Sequence, residues 1–195
     1  MTASISPIQK IPDKAHGNLH AVQNSPIQSR LQLALPQGQI QIHTSAIRGG
    51  FSVVLSESIR AAGLGSRVLV AQLLKGGVDQ GPNNGTHMCG QLHWLRPSLP
   101  ACITEHKNML ALETQIFFQQ KITEIWDICK QQLNEGLVER LVIDEIGLAI
   151  SFGYLDVNDL ISTLENKTSS TDVILTGPSI PAQIRMIADQ VTELR

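Results

Sequence analysis

The chain has 195 residues, with 15 basic and 17 acidic side chains and a net charge of −2, a length that one domain with a substantial core accounts for. The basic residues form no block or stripe able to track a phosphate backbone, so nucleic acid is not the expected partner. No apolar run approaches the roughly 20 residues that span a bilayer, and the opening "MTASISPIQK" lacks the apolar stretch of a signal peptide, so a soluble cytoplasmic protein without membrane contact is expected.

Residues 1–37 are rich in Gln, Ser, Pro and His, and "SPIQ" occurs at Ser6–Gln9 and again at Ser25–Gln28, a repeat too short to define a structural unit. Few clustered apolar residues offset the entropy of ordering, which predicts a flexible arm in which only "SRLQLALP" packs. From residue 38 onward the pattern changes to alternating units. "QIQIHTS" reads as a strand, and Ser52 to Ala62 as a helix that offers Val53, Val54, Leu55 and Ile59 to a sheet. "RVLVAQLL" is a near-continuous apolar run, the signature of a strand covered on both faces. "GQLHWL" is a third, weaker strand.

Further on, Ile122, Ile125, Trp126, Cys129 and Leu133 follow the spacing of one apolar stripe along a long helix. "RLVIDE" is a fourth strand that ends in two carboxylates. Asp156 caps a helix carrying Val157, Leu160, Ile161 and Leu164; "DVILTG" is a fifth strand, Pro181 opens another helix, and "QVTEL" is a sixth strand. Strands alternating with helices specify an α/β fold with a parallel sheet of about six strands and helices on both faces. Cys89, Cys102 and Cys129 show neither a CxxC nor a paired Cys/His spacing, so mostly buried, reduced thiols are expected.

Ligands of such sheets bind at the carboxyl ends of the strands. Three segments lie there. In "TSAIRGGFS", Thr44 to Ser52, Gly50 stands where a phosphate-binding loop carries its lysine and Phe51 where it carries the metal-binding hydroxyl. Thr44, Ser45, Arg48, Gly49, Gly50 and Ser52 are the candidate nucleotide-binding residues. Arg48 has a guanidinium for a phosphate and Ser52 a hydroxyl one residue late, while a plain Gly-Gly turn is the competing reading. In "LVIDEIG", Asp144 and Glu145 suit metal and water coordination or ordinary capping. They are the candidate metal ligands. In "DVILTGPSIP", Thr176 to Ser179 form a tight turn from strand to helix.

Taken together, "IRAAGLGSRVLVAQLLKG", "RLVIDEIGLAISFGYLDVNDLISTL" and "DVILTGPSIPAQIRMIADQVTELR" resemble the ATP:corrinoid adenosyltransferases, a family of P-loop NTPase-like fold, over most of residues 38–195. Members look like "TGNGKGKTTAA" at the phosphate loop. Thr44 and Gly49 match, Ser45 stands for the first Gly, Arg48 for a Lys, and Gly50 and Phe51 for the Lys and Thr that hold phosphate and metal. The resemblance implies transfer of the adenosyl group of ATP to the cobalt of a reduced corrinoid, with magnesium, in a homodimer. Two further departures accompany the loop: "SLPA", Ser98 to Ala101, replaces the glycine-aromatic corrin-contact segment, and the sequence ends at Arg195, where members continue through a short closing segment.

Each departure falls on ligand contact while the core-forming matches survive. Loss of the loop lysine alone removes a charge-assisted contact of about 1.5 to 3 kcal/mol. The expected function is therefore that of a divergent adenosyltransferase-family protein with lost or weak ATP-dependent adenosylation, which binds a ligand or a protein partner. An active adenosyltransferase with a non-standard loop, and a non-enzymatic regulator unrelated to cobalamin, are the two alternatives. In a vacated site Asp144 and Glu145 would repel each other across an empty cleft, so that Asp144→Asn would be neutral or stabilising. Deletion of residues 1–28 is expected to leave the thermal midpoint nearly unchanged in thermal unfolding, because few buried contacts go with them.

Overall fold

The computed structural model describes residues 37–49 and 51–194. The predicted arm, apart from Gln37, and Gly50 of the loop lie outside the described residues. Twelve elements follow in order: β1 Ile40–Ser45, α1 Ser52–Gly63, β2 Val68–Gln72, β3 Thr86–Met88, β4 Leu92–Leu95, α2 Leu112–Glu135, β5 Arg140–Asp144, α3 Ile146–Ser151, α4 Val157–Glu165, β6 Asp172–Thr176, α5 Ala182–Ile187 and β7 Gln190–Leu194. They build one seven-stranded sheet in the order β3-β4-β2-β5-β6-β1-β7. Every pairing is parallel except that of β3 with β4. The extra strand, absent from the sequence reading, is the first arm of a hairpin that extends the edge.

Alternation along the strands divides the core into two faces. Leu69, Ala71, Leu141, Ile143, Val173 and Leu175 point to the face covered by α2, α3, α4 and α5. Val68, Val70, Val142 and Ile174 point to the face on which Phe51, Val54 and Ala62 of the α1 region pack. Helices thus cover both faces, with the larger cluster on the side of α2. The predicted stripe of α2 is the buried one: Ile122, Ile125, Trp126, Cys129 and Leu133 are all in the core. Trp126 Nε1 also donates to Asp159 Oδ2 at 2.6 Å and fastens α2 to α4. Asp156 caps α4 as expected, its side chain accepting from the Asn158 amide at 2.7 Å.

Two expectations need correction. The face of α1 that meets the sheet is Val54, Ser58 and Ala62, while Val53 and Ile59 are exposed. Ser58 is tolerated there because its hydroxyl donates to Val54 O at 2.8 Å, leaving no polar hydrogen to be satisfied by the sheet. Small side chains bring α1 close. Of the thiols only Cys129 is buried, and burial pushes its pKa up to about 12; Cys89 and Cys102 are exposed. Among the described residues no helix is long and apolar enough to cross a membrane.

The β3–β4 register places His87 opposite His93, with their rings stacked at 4.3 Å and 8°. Burial, and then the neighbouring His87, hold His93 below its ordinary pKa, and burial does the same to His43 against the opposing pull of Glu57. Both histidines therefore favour the fold while neutral. Their contribution is complete above the ordinary histidine value of about 6.5 and is lost as pH falls through the lower folded-state values. Thermal unfolding followed from about pH 7.5 down to about pH 5 should show a falling midpoint, and His87→Gln should make the fall shallower.

Candidate functional site

Register alone assembles the site. On the α1 face the apolar rung Val70, Val142 and Ile174 is followed, two residues later along each strand, by Gln72, Asp144 and Thr176 at the carboxyl ends. All three are buried. Thr176 Oγ1 donates to Asp144 Oδ1 at 2.6 Å and Gln72 Nε2 donates to Asp144 Oδ2 at 2.7 Å. Gln72 Oε1 in turn accepts from Trp94 Nε1 at 3.0 Å and Arg96 Nε at 2.8 Å, with the Arg96 guanidinium 5.7 Å from the Trp94 ring centroid. Because two donors face the Gln72 oxygen, its amide nitrogen has to face Asp144. The network has one polarity from the sheet edge to the centre.

Glu145 leaves the strand with φ 61°, a left-handed conformation that a glutamate rarely adopts. Its neighbours hold it there: a Cβ on Gly177, itself at φ 120°, would lie 2.8 Å from Glu145 Cα, and one on Gly147 would lie 2.3 Å from Pro178 O. The Glu145 side chain is fully buried and doubly paired. Arg48 Nε reaches Oε1 at 2.5 Å and its second nitrogen reaches Oε2 at 2.7 Å, a bidentate fork, and Lys75 Nζ lies 3.2 Å from Oε1. The hydrogen bond to Glu145 raises the Arg48 pKa above its ordinary value, with further support from Cys102 and Asp144 against the cost of burial.

The carboxylate pair predicted from "IDEI" is therefore split between two environments, and neither member faces its neighbour across an empty cleft. Asp144 borders a cleft of 140 Å³ together with Gly49, Phe51, Ser52, Leu55, Gln72 and Lys75. Glu145 is buried and pairs with the partly exposed Arg48 guanidinium, so the arginine expected to meet a phosphate is already engaged by a carboxylate. Thr44 is buried at the end of β1, and Ser45 Oγ donates to Ile47 O at 2.6 Å as the chain turns into the loop. Gly49, at φ 91°, and exposed Ser52, the first residue of α1, reach the cleft. Phe51 turns its ring into the core beside Val54 and Val70.

The residues present do not reproduce the donor set that holds magnesium and a triphosphate. The hydroxyl position is a core phenylalanine, both Asp144 oxygens already accept hydrogen bonds, and Lys75 is the one cation bordering the cleft among the described residues. Among the described residues no three His, Cys, Asp or Glu side chains converge on a metal position. Sequence reasoning passed over Gln72, Lys75, Trp94 and Arg96. A glutamine closing the apolar run "VLVAQ" was the available signal, since a buried amide has to find partners. Asp144→Ala should lower stability by about 1 to 3 kcal/mol, read by denaturant unfolding, because it orphans the Gln72 amide and the Thr176 hydroxyl. Asp144→Asn, which retains one acceptor, should cost less and should not stabilise.

A family model described as ATP:corrinoid adenosyltransferase BtuR/CobO/CobP matches residues 36–195. An uncharacterized protein of Nostoc sp. is 27% identical over 173 residues, which cover 81% of this chain and 44% of that protein. The corrinoid adenosyltransferase of Escherichia coli K12 is 23% identical over 159 residues, 82% of this chain and 77% of the enzyme. The corresponding Salmonella typhimurium protein is 25% identical over 159 residues, with the same 82% and 77% coverage. The alignment thus spans less than half of the Nostoc relative and about three-quarters of each enterobacterial one. With the match running from residue 36 through the sheet, the loop and the strand-end carboxylates to residue 195, the chain belongs to the ATP:corrinoid adenosyltransferase BtuR/CobO/CobP family.

Proposed function

We propose that this protein is a corrinoid-binding member of its family in which ATP-dependent adenosylation is lost or weak. The observation that carries the reading is Phe51. In the resemblance this position supplies the metal-binding hydroxyl; here the side chain is 4% exposed and packs in the core with Val54, Val68, Val142 and Ile174. A phenylalanine has no oxygen to offer an ion in any rotamer, and its packing fixes the ring in the core. The sheet, the helices and the strand-end rung that would seat a ligand are all present among the described residues.

One observation favours a second reading, an active adenosyltransferase with a non-standard loop. Lys75 borders the same cleft as Asp144 and Ser52 from the turn after β2, so a cation other than a loop lysine is present there. In that reading Lys75 does the work of the missing residue, and its replacement would abolish turnover.

Calorimetry with a cobalamin, and separately with magnesium and ATP, tests the proposal. The expected result is corrinoid binding together with ATP binding weaker than about 1 mM, the range in which RT ln Kd is about −4 kcal/mol. Micromolar, magnesium-dependent ATP binding accompanied by spectroscopic formation of an adenosylated corrinoid would establish the second reading instead, and Lys75→Ala should then remove both. Absence of corrinoid binding would overturn the first reading and leave a regulator unrelated to cobalamin.

A further inference from the structure

The partly exposed Arg48 guanidinium is met by a buried carboxylate. Glu145 is fixed by its own left-handed backbone and by the approach of Gly177 from the β6–α5 connection. Arg48, 97 positions earlier in the chain, sits on the loop between β1 and α1. Its fork saturates both Glu145 oxygens at 2.5 and 2.7 Å, and Lys75 adds a third contact at 3.2 Å. Asp144 borders the same cleft as Lys75 and also acts on Arg48. The cluster therefore holds two cations, Arg48 and Lys75, against two carboxylates, Asp144 and Glu145, and offers an incoming anion no net charge.

We infer that Glu145 is a resident anion that latches Arg48 and Lys75 away from an incoming polyphosphate, and that removing its charge frees both cations to bind one. The inference rests on the reading that wild-type affinity for ATP is low. Its physical basis is the cost of competition. A phosphate that took Arg48 would leave a buried carboxylate with only Lys75 as counter-charge, and an uncompensated buried charge is among the least favourable states of a folded protein. Glutamine at position 145 retains the shape and an acceptor oxygen but removes that penalty, and it leaves the two cations facing Asp144 alone.

The test uses the full chain and two probes, inorganic tripolyphosphate and ATP, titrated without metal. Glu145→Gln should bind both at least about tenfold more tightly than wild type, equivalent to about 1.4 kcal/mol, and by the same factor, because the latch acts on the phosphates. Arg48→Ala added to Glu145→Gln should remove most of the gain, with Lys75 keeping the rest. An unchanged affinity in Glu145→Gln, a gain confined to ATP, or a gain that survives Arg48→Ala undiminished would each overturn the latch. Tight ATP binding by the wild type would instead sink the reading on which it rests, while a gain in Glu145→Gln over that level would still support the latch.

A second measurement does not depend on the folding of that variant. In Arg48→Gln, a non-specific protease should cut within residues 46–49 at least about tenfold faster than in the wild type while β5 stays intact. An unchanged cutting rate would show that the pair does not hold the loop, and would overturn the inference independently.

Discussion

A carboxylate that is removed from water has to be met by cations inside the protein, and much of this molecule's functional end is arranged around that requirement. Glu145 is fully buried at the tip of a central strand. Taking such a group out of water is expensive unless a fork of charge-assisted hydrogen bonds replaces the solvent. Arg48 and Lys75 provide it from two different connections, the loop after β1 and the turn after β2. The consequence reaches beyond local stability. Once the loop arginine is needed by Glu145, its charge is neutralised by the protein's own carboxylate.

The neighbouring carboxylate solves the same problem without cations in direct contact. Asp144 is held by an amide and a hydroxyl, and the amide is oriented by Trp94 and Arg96. Such a network is worth most when every member is satisfied, since one missing partner leaves a buried polar group with nothing to replace water. The parallel register makes it possible: three adjacent strands reach the end of their apolar run at the same level, and the first polar rung of each is next to the others. A one-residue slip of any strand would turn its polar member to the opposite face.

Much of this architecture was readable in the sequence. The α2 stripe, the apolar strands and the Asp156 cap depend on local periodicity or on contacts within one turn, which the residue order itself encodes. What escaped was of two kinds. Strand β3 has only three residues, Thr86 to Met88, too few for alternation to register, and its identity comes from pairing with β4. The α1 face was misjudged because large apolar residues were weighted over small ones. Val53 and Ile59 were expected inside, whereas Ser58 and Ala62 permit the closer approach. The site was legible as a set of residue types but not as partnerships. Arg48 with Glu145 and Gln72 with Asp144 are separated by 97 and 72 positions, and no periodicity announces which polar groups will share a buried corner.

The same distinction explains how a loop can depart from its family's pattern without disturbing the fold. Replacing a small hydroxyl residue by phenylalanine at the start of α1 adds an apolar side chain where the helix meets the sheet, and the core accepts it beside Val54, Val70 and Ile174. Burial of an aromatic ring in such a place is favourable by about 1.5 to 3 kcal/mol relative to exposure. Stability and ligand contact are then in competition at one position: the ring helps fix α1 on the sheet because it packs in the core, and it offers no polar group to the cleft it borders. Arg48 repeats the pattern electrostatically, since its fork is filled by Glu145. Both residues tie the loop to the interior, Phe51 by packing and Arg48 by a partly exposed ion pair.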